Sequence, residues 1–161
     1  MRMERIPEEL IAEIADVGLA SAVIRPAETD RLPPDRGAYL LVLGLPRRTS
    51  VLRGRRIPDV LAEGWYVYAG NAHGPGGIRA RVARHFRRGK RRHWHIDHLT
   101  DKAMLHAMAF PGGSECALIG LLRRHPDFAD AAPGFGSSDC RTCESHLLAW
   151  KPAPYQPGSM P

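Results

Sequence analysis

The run Tyr39-Leu-Leu-Val-Leu43 narrows what this chain can become more than any other stretch. It is apolar throughout and closed by Gly37 on one side and by Gly44 and Pro46 on the other. That length and punctuation suit a strand, and the lack of a polar face makes it a buried one. A second run, Trp65-Tyr-Val-Tyr-Ala69, is aromatic and β-branched and lies between Gly64 and Gly70. Thr49 to Leu52 is a weaker strand between them. The short spacing makes an antiparallel meander the simplest arrangement, a central antiparallel three-stranded sheet. Period two then puts Tyr66 and Tyr68 on one face.

Helical spacing follows the strands. Ile78, Val82 and Phe86 recur every four residues, an apolar stripe on a helix over Ile78–Arg88, and Arg81, His85 and Arg88 are expected to share its solvent face. Ser114 is placed to cap a second helix over Glu115–Arg124, with Leu118, Ile119, Leu121 and Leu122 inward. Leu147 to Trp150 is short and apolar, fit to add a strand or cover the sheet. The whole predicts a small α/β domain, the sheet flanked by helices. Ahead of it, residues 1–36 read as an accessory helix over Pro7–Val17, carrying Leu10, Ile11, Ile14 and Val17, and a proline-bearing linker from Arg25 to Arg36. The main domain spans 37–150, and 151–161 reads as a flexible tail.

Composition enters through charge. The 23 Lys and Arg exceed the 17 Asp and Glu by 6, which favours a polyanionic partner. No apolar run approaches the ~18 residues of a membrane span. Glu4, Glu8, Glu9, Glu13 and Asp16 occupy the N-terminus where a signal peptide needs an apolar core, so a cytoplasmic location and no membrane partner are expected. Three Cys are a poor basis for a disulfide framework. Arg79, Arg84, Arg88, Lys90, Arg91 and Arg92 make a run dense enough to track a phosphate backbone, with Trp94 available to stack. The bland alternative for that run is a solvated helix face.

Phosphodiester hydrolysis needs an activated water, a cation for the charge developing on the phosphoryl oxygens, and stabilisation of the departing oxygen. Tyr39, Tyr68, Arg81, His85 and Glu115 can supply these parts if the fold gathers them, though each alone also reads as an ordinary rim or surface residue. Their order is more informative. Gly37-Ala38-Tyr39 opens the first strand, Tyr68-Ala69-Gly70 closes the third, Gly76 to His85 leads into Arg-x-x-x-His on a helix, and Glu115 opens a later one. This set resembles the GIY-YIG nuclease family, over residues 37 to 150. It is most similar to the Uri branch, through Tyr66–Gly70, His93-Trp-His-Ile-Asp97 and Phe135-Gly-Ser-Ser-Asp-Cys140. Ala38 and Ala69 stand where the family motif has Ile.

The resemblance implies a metal-dependent endonuclease acting on DNA, less readily on RNA, by a one-metal mechanism. It implies that Glu115 holds one Mg²⁺ or Mn²⁺ with water completing the shell. Tyr39 would be general base or water-positioning phenol, Arg81 the phosphate clamp, Tyr68 an orienting phenol, and His85 a phosphate donor when charged and a proton shuttle when neutral. Many family members place an Asn after the Glu helix; Ser137, Ser138 and Asp139 stand in the comparable stretch here. Asp139 could be a second metal ligand, but a capping role is favoured. The alternative is a catalytically silent nucleic-acid-binding module on the same scaffold. It could carry structural Zn²⁺ on Cys140, Cys143 and His146 with His95 or His98, against a buried polar network as the plainer reading of those histidines. A domain of this size could take selectivity from a partner or as a homodimer.

Overall fold

The computed structural model describes residues 3–53, 57–132 and 145–153. Helix α1 (Glu8–Ile14) runs on through a π turn over Ala15–Leu19, and a 3-10 turn covers Pro26–Arg31. Strands β1 (Gly37–Leu45), β2 (Thr49–Arg53), β3 (Ile57–Leu61) and β4 (Gly64–Ala72) follow. Next come α2 (Gly77–Phe86), the single turn α3 (Asp97–Thr100), β5 (Met104–Pro111), α4 (Glu115–Leu122), β6 (Phe128–Asp130) and β7 (Leu147–Trp150). This is a small α/β fold on an antiparallel sheet of order β5-β1-β4-β7-β6.

The sheet has five strands rather than the expected three. β2 does not join it: β2 pairs with β3 as a separate hairpin, and β1 pairs directly with β4 over nine residues, Gly37↔Ala72 to Leu45↔Gly64. The full-length β1–β4 ladder occupies one edge of β1 and β5 the other, which leaves no edge on which β2 could pair.

All nine residues of β1 are buried, which explains its unbroken apolar run: the strand is covered on both faces. Tyr39, Leu41 and Leu43 pack with Ile78 and Val82 of α2, Ile96 and Leu99. On the other face Ala38, Leu40 and Val42 pack with Leu10 and Ile14 of α1 and Leu118, Ile119 and Leu122 of α4. Burying one such aliphatic side chain stabilises by roughly 1.5–3 kcal/mol. The N-terminal segment is therefore built into the domain. Leu10 and Ile14 have no exposure, Leu32 of the expected linker is buried, and Ile24 bridges Ala107 of β5. Among the described residues, no helix is long and apolar enough to cross a membrane. The tail beyond residue 153 lies outside the described residues.

Candidate active site

The site forms where β1 begins and β4 ends. Tyr39 is paired with Gly70 and Leu41 with Tyr68, so the two phenols stand on one face as diagonal neighbours. Both motif glycines have a steric reason. A Cβ on Gly70 would overlap the Tyr39 phenol, and one on Gly37, at φ +154, would meet the backbone of Phe110 and Gly112. Tyr39 is only 2% exposed, whereas Tyr68 is partly exposed, so Tyr68 is the phenol that reaches the surface.

Helix α2 is docked over these phenols by its first turn. Ile78 N–H donates to Asp35 O at 2.8 Å and Arg79 N–H to Pro33 O at 3.1 Å, giving orphan helix donors fixed acceptors. Contrary to the expected solvent face, His85 is 1% exposed. At 100° per residue, position 85 lies only 20° from Ile78, at the edge of the apolar stripe. Its Nε2 lies 2.6 Å from Tyr39 Oη, while Nδ1 is buried with no hydrogen-bond partner among the described residues. Burial, then the charges of Arg84, Lys90 and Arg81 against the favourable Asp97, push the His85 pKa down to about 3. The ring is neutral at physiological pH, which removes the charged phosphate-donor role and leaves the shuttle role open.

This neutral histidine makes stability depend on pH. Between about pH 3 and 6.5 the unfolded chain binds a proton that the native ring refuses, so the stabilisation is complete above pH 6.5 and is lost as pH falls. The contribution should be on the order of 1 kcal/mol per pH unit. His85→Gln, which keeps a partner for Tyr39, should flatten the urea-derived stability profile over pH 4–6.5; an unchanged slope would contradict the assignment.

Both phenols titrate well above the ordinary tyrosine value. Burial is the main cause for each. For Tyr39, Tyr68 and Glu115 raise the value and Arg81 opposes; for Tyr68, Glu115 raises it and Arg81 opposes. These groups come from four elements, β1, β4, α2 and α4, and from both layers. Glu115 opens α4, where Ser114 Oγ accepts Ala117 N–H at 3.1 Å, and a carboxylate in a first helical turn is favourably placed. Asn71 Nδ2 donates to Glu115 Oε2 at 2.9 Å. Asn71 was missed in the sequence. Its alternation places it on the α4 face, opposite Gly70, so it holds the carboxylate across the end of the sheet. The Glu115 carboxylate is a hard oxygen donor with a second oxygen beyond the one Asn71 engages, a donor type suited to a largely hydrated Mg²⁺ or Mn²⁺.

Trp94 is used differently from the expectation. Arg81 and Arg84 both lie over its ring, 4.4 and 4.1 Å from the centroid, so the indole anchors guanidinium groups where a stacked base was expected. Asp97 has no exposure and takes Arg84 bidentately, with Nη1 and Nη2 each at 2.9 Å. It also accepts His93 N–H at 2.8 Å and Trp94 N–H at 3.0 Å.

Most of the basic run is spent within the fold. Arg79 donates to Leu32 O and Asp30 O, and Arg88 to Thr100 O, Asp101 O and Ala103 O. Lys90 donates to His85 O, Arg87 O and Thr100 Oγ1. Arg91 and Arg92 are exposed. Of the zinc candidates, His146 is buried with Nε2 3.7 Å from Cys116 Sγ, a neighbour that spacing could not indicate. Asp139, Cys140 and Cys143 lie outside the described residues.

A family model described as a domain of unknown function, DUF123, matches residues 38–157. No curated protein and no solved structure matches the chain.

Proposed function

The chain belongs to the DUF123 family, and we propose that it is a metal-dependent endonuclease of GIY-YIG type, Uri-like, that hydrolyses phosphodiester bonds in DNA. The observation that carries this reading is geometric: Tyr39 and Tyr68 are diagonal neighbours across β1 and β4, Asn71 at the same end of β4 holds Glu115, and Arg81 lies over Trp94, whose ring neighbours that of His85 beside Tyr39. A divalent ion on Glu115 would supply a Lewis acid for charge developing on the phosphoryl oxygens. Arg81, steadied by Trp94, clamps the scissile phosphate. Tyr68, at the surface, orients the attacking water.

Neither phenol is ionised in advance, because burial raises both. Proton removal is therefore concerted with attack. As water oxygen bonds to phosphorus, the water proton passes to Tyr39 Oη and the Tyr39 proton to His85 Nε2, while the departing oxygen leaves with the bonding electron pair and takes its proton from solvent. The anionic phosphate favours the imidazolium at that moment. A recess of about 630 Å³ at the other end of β1, lined by Arg47, Arg48, Thr49, Ser50 and Lys102 among others, offers the nucleic-acid backbone a second point of attachment.

The deep burial of Tyr39 favours the competing reading, a binding module without turnover. Supercoiled and single-stranded DNA incubated with Mg²⁺, Mn²⁺ or chelator separates the two. The expected result is nicking that requires metal, with Arg81→Ala reducing turnover ~10²–10³-fold and binding far less, since it acts on transition-state charge. Equal losses in binding and turnover would remove that role. Salt-sensitive binding with no nicking would leave the module.

A further inference from the structure

A second cluster lies away from this site, near β6. Glu13 of α1, His125 and Asp127 each present a ligand atom within 4.8 Å of the other two. Glu13 is 8% exposed, and its Oε2 accepts Trp150 Nε1–H at 2.7 Å, which aims the carboxylate. His125 Nδ1 is 3.6 Å from the same oxygen and accepts the Asp127 backbone N–H at 3.3 Å, so its lone pair is on this side of the ring, and an ion bound there takes the place of that long hydrogen bond. A carboxyl oxygen of Asp127 lies within 4.8 Å of the Glu13 ligand oxygen. Acceptors are thus turned toward one another, while the donors that fix them come from Trp150 and the backbone. Such an arrangement is repulsive unless a cation or a proton lies between its members.

We propose that Glu13, His125 and Asp127 form a divalent-metal site that takes Zn²⁺ or a similar borderline ion. An ion ~2.1 Å from two tetrahedral ligands sets them about 3.4 Å apart. The 3.6 Å between His125 Nδ1 and Glu13 Oε2 is close to that separation. One imidazole and two carboxylates suit zinc and leave a fourth position for water. The ion would staple α1 to the turn after α4, beside Trp150 of β7, joining segments far apart in the chain. None of these residues belongs to the nuclease proposal, so either can fail without the other.

The test is titration of the metal-free full chain with Co²⁺ and Zn²⁺. Cobalt should give visible d–d bands without thiolate charge-transfer absorption, and zinc should raise Tm. Glu13→Gln keeps an acceptor for Trp150 N–H and should leave the metal-free Tm unchanged. Both it and His125→Ala should weaken metal binding at least ~10- to 100-fold. Three results would overturn the site: equal affinity in both variants, a thiolate-type spectrum that neither variant alters, or no binding at millimolar metal, with only a proton shared between Glu13 and Asp127.

Discussion

Asp97→Ala should lower the unfolding free energy by about 3–5 kcal/mol, the cost of removing one partner from a buried ion pair. The size follows from what is stranded. Arg84 loses both hydrogen bonds to the carboxylate while its side chain is only 20% exposed, and the His93 and Trp94 N–H groups lose their acceptor. Asp97→Asn retains part of that acceptor capacity and should fall between wild type and Ala. Urea titration with an unchanged m-value reads the difference. A cost below ~1 kcal/mol would mean that Asp97 pairs as weakly as an exposed ion pair. The damage should extend to the site, because Asp97 fixes the segment that places Trp94 beside Arg81.

Glu115→Gln should abolish most nicking, by ~10²–10³-fold or more, while DNA affinity and stability stay near wild type. Gln retains an oxygen for Asn71 and keeps the shape of the first helical turn. It removes the anion that raises both phenols, so Tyr68 should titrate at lower pH than in wild type, a shift visible by ultraviolet difference absorbance. The two readouts are separable. A lower phenol titration without loss of nicking would keep the geometry and discard Glu115 as a metal ligand; an unchanged titration would place the carboxylate too far from the phenols to act with them.

The strands that carry the motif were legible because β1 and the first residues of β4 are apolar or aromatic and punctuated by glycine. The starts of α2 and α4 were legible from periodicity and a Ser cap. Sheet order was not. Proximity in sequence suggested a meander, yet β2 folds against β3, and β5 carries His106 and Pro111 within a stretch that lacks β-branched residues. Strand alternation placed Tyr66 and Tyr68 correctly, but His85 was read onto a solvent face with Arg81 and Arg88 although its angular position is only 20° from Ile78. Trp94 and most of the basic run look like a nucleic-acid surface until their internal partners are known: guanidinium groups for Trp94, the Asp97 carboxylate for Arg84, and mainly backbone carbonyls that no sequence pattern displays for Arg79, Arg88 and Lys90. Nor does anything local to Asn71 announce Glu115, 44 positions away.

Because the carboxylate and the phenols reach the rim from opposite sides of the same sheet, neither hydrophobic half alone can assemble the constellation. Under the proposed nuclease reading, catalysis would depend on alignment between two independently packed slabs. Substitutions deep beneath α1 or α4 that leave every candidate side chain intact, yet let one slab slide by a fraction of a turn, should then abolish the proposed nicking as thoroughly as deleting one of those groups.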